Sequence, residues 1–447
     1  MEFPAIAHSL AQHLIETRRL PGLVAAAFDM QEMDVRAYGL RDVRQDVSQA
    51  ERMTPDTRFP VASITKTFTA GMVLQEAARG RIQLDAPMAG QLRGFRLADA
   101  EASQTLTPRD ALCHFSGLPP HTWAWVYGEV SRATLVRERL PYLGSLGPHR
   151  RGHAYSNLLY AVLGALWEEV TGATWEDGVL QLAQELGLKQ TGLLDDDWQL
   201  YPGMACPHGR RAQQAAGWQV LPGFVARRGH PIAPASEMYA TAGDLARWGM
   251  CQLSAPHGRD GRWEANSRVA DDGGWGVPLD YGLGWRLDRA HGVRRVWHSG
   301  QCTGYSLLLS LSPARGRGHV WAANASGVVD LLQVLDLTAK TGHAVAVPPS
   351  QSPSLPPPSL WQPADSKRLK PGTYTHPGYG VLTLAQEGAG IRVVFGQQAG
   401  GLVETNAKGD LSFQLPIYGQ RMPLKSVADA LTLPFEPAVA PIRFVRV

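Results

Sequence analysis

Apolar residues near the start of the chain recur at helical spacing. Ile6, Leu10 and Leu14 share one face and predict an amphipathic helix. The pattern then changes period: Gly22 to Asp29 and Val35 to Leu40 read as two short strands joined by a polar turn. From Ser63 to Arg79, Ala, Thr, Met and Val fill most positions. A helix of that composition has no clean polar face and is expected to be buried on most sides, with Gly80 as its C-terminal cap. Residues from about 85 to 235 read as helices separated by long loops rich in Pro, Gly and Trp. Strand patterns return at Gly282 to Leu287, Val293 to His298, Tyr305 to Ser312 and Val320 to Asn324.

An abrupt change follows. Residues 344–363 hold seven prolines and several serines, the composition of a semi-rigid extended linker. Beyond it come short alternating strands with Gly turns at Gly380 to Leu384, Ile391 to Phe395, Leu411 to Leu415 and Ile442 to Val447. Even spacing of this kind predicts a small antiparallel barrel or half-barrel. The expected organisation is a domain over 1–343, a linker over 344–370 and a barrel domain over 371–447. No fixed-period repeat is visible.

Composition narrows the function classes. At 447 residues there is room for two or three cores, and 44% hydrophobic with 19% charged residues is ordinary for a soluble globular protein. A net charge of +3 without a long basic run gives no support to nucleic-acid or membrane-surface binding. No apolar stretch reaches the ~20 residues of a membrane span, and the first residues lack the basic-then-apolar order of a secretory signal. Cys113, Cys206, Cys251 and Cys302 are widely scattered, with no metal-ligand spacing. The expectation is therefore a cytoplasmic protein with free thiols, no metal and no cofactor.

Candidate chemistry begins with a misplaced lysine. Of 43 Lys and Arg residues only 7 are Lys, and one of them, Lys66, stands near the start of the buried helix. Residues i and i+3 share a helix face, so the Ser63 hydroxyl and Lys66 amine can meet. A serine at a helix N-terminus lies in the positive end of the macrodipole, and a desolvated lysine can act as a base. The same pair also reads as an N-cap serine with a lysine reaching to solvent. Tyr155-x-Asn157 precedes the apolar helix Leu158–Val170, where a tyrosine can relay a proton and an asparagine can hold a substrate amide. His298-Ser299-Gly300 ends an apolar strand, and such an edge can offer an N–H to an oxyanion and pair with an extended substrate. Taken singly, these two also read as a helix cap and a strand-end bulge.

Their order decides. Ser63-x-x-Lys66, Tyr155-x-Asn157 and His298-Ser299-Gly300 together resemble the three signature elements of the penicillin-recognising serine hydrolases. The match is nearest to the class C β-lactamase, DD-carboxypeptidase, D-aminopeptidase and esterase group. Supporting stretches are Leu84-Asp85-Ala86-Pro87, Cys113 through Pro119, Thr241 through Leu245 and Tyr281-Gly282-Leu283-Gly284-Trp285, and the resemblance spans roughly residues 5–343. It implies an α/β two-lobed domain, a central antiparallel sheet with a helical lobe and the site between them. It further implies acyl transfer: Ser63 as nucleophile, Lys66 and Tyr155 sharing the proton work, and Asn157, His298, Ser299 and Gly300 binding substrate. Backbone N–H groups of Ser63 and Gln301 would form the oxyanion hole. Histidine at 298, where β-lactamases of the group carry lysine, points away from efficient penicillin hydrolysis.

The C-terminal segment resembles the lipocalin-like domain of family peptidases acting on D-amino-acid peptides, through Gly372-Thr373-Tyr374, Tyr379 to Leu382 and Ile442-Arg443-Phe444. The expected enzyme is a serine hydrolase of amides or esters, favouring peptides with D-residues, with carboxylesterase or weak β-lactamase as the nearest rival. A catalytically silent relative that binds peptides or acts as a scaffold is the rival from another class. Its partners are a small-molecule or peptide substrate and, where it assembles, copies of itself. Trp123 and Trp125 are read either as cleft lining or as packing. Cys302 is read as an apolar filler, His114 as a loop anchor, and the sequon at Asn324-Ala325-Ser326 is given no weight.

Overall fold

A computed structural model describes residues 3–44, 51–126, 130–145, 152–210, 217–224, 226–227, 229–254, 261–269, 279–345, 362–364, 369–395, 398–406, 408–414, 421–437 and 439–447. The larger body is built on an eight-stranded antiparallel sheet. Its order is Met33–Gly39, Gly22–Asp29, Arg317–Ala323, Tyr305–Ser312, Val293–Cys302, Arg286–Ala290, Leu279–Tyr281 and Ser267–Val269. The two ends of this body therefore meet in its middle: Gly22–Asp29 pairs with Arg317–Ala323 from Leu23↔Ala323 to Asp29↔Arg317. Both central strands are buried nearly throughout, because helices cover both faces. Ala5–Glu16 and Val329–Thr341 lie on one face, and Ala242–Ser254 on the other.

Charge also binds a helix to the sheet. Asp336, fully buried, accepts from Ser310 Oγ at 2.9 Å and sits 3.3 Å from both Lys340 Nζ and His319 Nδ1. Arg295 approaches it at 3.5 Å and forks onto Asp288 at 2.8 and 2.6 Å. Burial opposes ionisation of Asp336, but Lys340, the hydrogen bond from His319 and the charge of Arg295 together hold its carboxyl well below the usual carboxylate range. Removing one partner of such a cluster leaves buried charge uncompensated. Asp336→Asn is therefore expected to cost about 3–5 kcal/mol, measured by denaturant unfolding. Because the folded pKa is depressed, the wild-type advantage is complete above the unfolded value near ~4 and fades as pH falls below it.

The strand expected at Gly282–Leu287 begins instead at Arg286. Residues 282–285 form a turn, closed by Gly282 N–H donating to the Trp285 carbonyl at 2.8 Å. Gly284 adopts φ +83° there, and a Cβ on it would lie 2.6 Å from Ala70 Cβ. The chain thus bends tightly over the buried helix before starting its strand.

Eight strands from Gly372 to Arg446 close into an antiparallel barrel, with Gln398–Thr405 pairing with Leu411–Gln414 to complete the circle. Strands stand at all four expected places, Leu415 lying outside the described residues, alongside Gly372–His376, Gln398–Thr405, Arg421–Val427 and Ala430–Leu433. Most of the expected linker falls outside the described residues, but Gln362 and Pro363 pair with Thr405 and Glu404 on the barrel. The barrel interior and the helical lobe share one apolar cluster. Its polar joint is His121, whose Nδ1 lies 2.7 Å from Tyr379 Oη and whose backbone N–H donates to Glu436 at 3.1 Å. Next to it Trp123 packs against Phe435 at 5.7 Å between ring centroids. All four cysteines are free. Among the described residues no helix is long and apolar enough to cross a membrane.

Candidate active site

The buried helix, Thr65–Ala78, carries threonines where a core helix would carry aliphatics. Their hydroxyls are used internally. Thr69 Oγ1 donates to the Pro234 carbonyl at 2.7 Å and accepts from Trp175 Nε1 at 3.0 Å, while Thr67 Oγ1 accepts from Trp248 Nε1 at 2.8 Å. The helix is thereby fixed along its length, and Gly80, at φ +76°, closes it as expected. Ser63 occupies the short 3-10 turn Ala62–Ile64 ahead of it. Ala62 stands at φ +46°, a left-handed conformation that costs a non-glycine residue about 1–3 kcal/mol. The strand Val293–Cys302 passes directly against this turn: a Cβ on Gly300 would lie 2.1 Å from the Val61 carbonyl oxygen. Only glycine permits that approach.

Lys66 is fully buried. Its Nζ lies 3.1 Å from Ser63 Oγ, 2.7 Å from Asn157 Oδ1 and 3.1 Å from the Ala235 carbonyl. It also stands 4.8 Å from the Tyr155 ring centroid and 5.4 Å from that of Tyr160. No carboxylate pairs with it among the described residues. Burial, reinforced by the positive charge of Arg286, therefore drives its pKa well below that of an ordinary lysine. Burial pushes the Tyr155 phenol up to about 12, against the lowering influence of the neighbouring Ser63 hydroxyl. The structure thus gathers Ser63, Lys66, Tyr155 and Asn157 around one hydroxyl.

The third element is arranged differently. His298 points inward, its Nε2 2.8 Å from Tyr281 Oη and its Nδ1 2.8 Å from the Ser299 carbonyl. The carbonyl can only accept, so Nδ1 carries the proton and Nε2 accepts from Tyr281. Burial, Arg286 and Lys66 all hold the ring neutral. Gln301 stands at the cavity rim beside Ser63. Arg286–Ala290 pairs only as far as Trp297, so, among the described residues, 298–302 keep an edge without a strand partner on that side. Such an edge can hydrogen-bond an oxyanion or an extended chain.

The cavity beside Ser63 measures about 180 Å³ and is also bounded by Trp125, Asn157, Ile232, Glu237, Gln301 and Cys302. Trp125 thus lines the cleft, whereas Trp123 packs on the barrel. Burial raises the Cys302 thiol, leaving it an inert filler at neutral pH. His114 anchors a loop by accepting from the Ser156 N–H at 3.2 Å, with its ring 4.3 Å from Tyr155. Asn324 is buried, its amide donating to the Leu40 and Arg41 carbonyls, so the sequon is not available to modification in the folded chain.

Residues 7–343 match the family described as Beta-lactamase. The chain belongs to that family. That places it in the penicillin-recognising serine hydrolase family, and its fold is β-lactamase-like. Among curated relatives, "Unguisins hydrolase ungD'" of Aspergillus campestris is 26% identical over 337 residues, which cover 71% of this chain and 61% of that protein. The chain therefore spans less than two thirds of that relative. Penicillin-binding protein 4 of Amycolatopsis lactamdurans is 28% identical over 313 residues, covering 66% and 79%. Among solved structures, SurE aligns over 99% of both chains with a TM-score of 0.59 at 19% identity, so both the hydrolase body and the barrel have counterparts there. A D-stereospecific amidohydrolase from Streptomyces aligns over 73% of this chain and 95% of its own, with a TM-score of 0.58 at 23% identity.

Three residues near the site escaped the sequence reading. Tyr281 lay in a stretch quoted for resemblance but was given no role, and Arg286 and Glu237 carried no motif. Arg286 has its guanidinium 5.8 Å from the Tyr155 ring, and its buried Nε has no hydrogen-bond partner among the described residues. Long-range packing alone brings these groups together.

Proposed function

We propose that this chain cleaves amides through an acyl-enzyme on Ser63 and prefers peptides containing D-residues. The observation that carries the reading is the buried Lys66 amine, unpaired by any described carboxylate and 3.1 Å from Ser63 Oγ. A neutral amine has two N–H donors and one lone pair. Asn157 Oδ1 and the Ala235 carbonyl only accept, so they take the two N–H groups. The lone pair is left for the Ser63 proton.

In the proposed sequence, Ser63 Oγ bonds to the substrate carbonyl carbon as its proton passes to Lys66. N–H groups of Ser63 and Gln301 take the oxyanion. The C–N bond then breaks, and the departing amine receives a proton from Tyr155, which Lys66 replenishes. With its pKa near 12, Tyr155 is a phenol at neutral pH and suited to that donation. Water releases the acyl group by the reverse proton path. The D-preference draws support from the barrel and from the likeness to the D-stereospecific amidohydrolase.

Intact-mass measurement after incubation with a fluorophosphonate and with a penicillin tests the reading. One adduct per chain from each is expected, the penicilloyl form long-lived, together with faster hydrolysis of D-leucine p-nitroanilide than of its L-isomer. No adduct with either reagent overturns the acyl-enzyme. Rapid penicillin turnover makes the chain a β-lactamase, and equal rates on both isomers remove the D-preference.

A further inference from the structure

Glu237 lies at the end of the short helix Ala233–Ser236, two residues beyond the carbonyl that holds Lys66, and lines the same cavity as Ser63. It is 6% exposed. A buried carboxylate can accept several hydrogen bonds and is costly to leave without them. Here Oε1 accepts from Ser236 Oγ at 3.0 Å, and Oε2 has no partner among the described residues.

The neighbouring groups do not supply the missing charge. His230 Nδ1 comes to 4.0 Å from Oε1, but that nitrogen accepts from the Ile232 N–H at 3.4 Å, and burial pushes the ring down to about 3, so it is neutral. Burial raises the Glu237 carboxyl to about 7, outweighing the Ser236 hydrogen bond and the charge of Arg227, which favour its ionised form. The remaining wall near it is apolar or neutral: Trp125, Ile232 and Cys302. Among the described lining residues no Lys or Arg is present, and Glu237 is the single acid. A cavity whose described lining is otherwise uncharged, with Trp125, Val126, Phe224 and Ile232 on its apolar side, and which holds one under-used carboxyl fits an ammonium group attached to a hydrophobic side chain.

We propose that Glu237 is the ammonium subsite of this cavity, receiving the free α-amino group of the residue whose carbonyl acylates Ser63. The chain would then act on acyl donors with an unblocked amino end, such as aminoacyl amides and N-terminal peptide residues. Binding pairs the amine with Oε2, and rotation of the carboxyl lets either oxygen face the ligand. An N-acylated donor brings no charge and leaves the carboxyl unpaired. This rests on Ser63 being the nucleophile.

The test compares D-leucine p-nitroanilide with its N-acetyl form in wild type, Glu237→Gln and Glu237→Asp, each checked by thermal melting and fluorophosphonate labelling. Wild type is expected to favour the free amine in kcat/KM by about 10–100-fold, the scale of a charged hydrogen bond. Glu237→Gln should collapse that ratio toward one, mainly through KM, and Glu237→Asp should restore part of it. Equal losses on both substrates in Glu237→Gln, with accumulation of the acyl-enzyme by mass, would make Glu237 a base for water and overturn the subsite. A wild type indifferent to acetylation overturns it too. Loss of fluorophosphonate labelling in the wild type would instead overturn the Ser63 reading.

Discussion

Ser63→Ala is expected to abolish adduct formation with both a fluorophosphonate and a penicillin and to lower turnover by about 10⁶, the scale seen when a catalytic serine is removed. The fold should survive. The Ser63 side chain faces the cavity and touches Lys66 and Tyr155, while the turn that carries it is held by backbone contacts, including Val61 N–H to the Met238 carbonyl at 2.9 Å. Lys66 keeps its contacts to Asn157 and Ala235 in the variant, so its amine is not stranded. Melting within ~0.5 kcal/mol of wild type in equivalent stability is the expected control for a surface-like change. Turnover retained in Ser63→Ala, after a contaminating hydrolase is excluded by mass, would place the nucleophile elsewhere.

How far the sequence carried depends on whether a feature is local. The buried helix was legible because its apolar and Thr-rich run needs no partner to be recognised, and Gly80 marked its end. Gly22–Asp29 and Tyr305–Ser312 have the bounds that their apolar runs imply. Gly282–Leu287 misled because Gly282-Leu283-Gly284-Trp285 has the apolar content of a strand, while its glycines serve a turn so closely packed that a Cβ on Gly284 would lie 2.6 Å from Ala70. In the barrel, Arg421–Val427 alternates a buried side with one bearing Arg421 and Lys425, too weak a pattern for a single strand to declare itself. The site divides the same way. Ser63 and Lys66 are three residues apart where a short turn runs into the buried helix, and family order joined them to Tyr155 and Asn157. Glu237 and Arg286 gain meaning only from what surrounds them, so no spacing could mark them.

The second large effect concerns the base. Lys66→Ala should lower kcat/KM by about 10²–10⁴, the usual scale for loss of a general base. Lys66→Arg should fall as far, since a guanidinium stays protonated and has no lone pair to offer. The pH profile separates a base from a merely structural lysine. A base works when unprotonated, so activity must rise with pH through the Lys66 pKa and then level. Burial and Arg286 have moved that pKa down from the ordinary lysine range, which brings the plateau to lower pH. Arg286→Gln removes one of the two causes. The Lys66 pKa should then rise, carrying the acid limb of kcat/KM to higher pH and lowering activity at neutral pH while leaving the alkaline plateau nearer to wild type. A limb that stays in place in Arg286→Gln would mean that Lys66 is not the group being titrated. An upward shift, together with a Lys66→Ala profile that lacks the limb, would tie the proton of Ser63 to the one buried amine in reach of it.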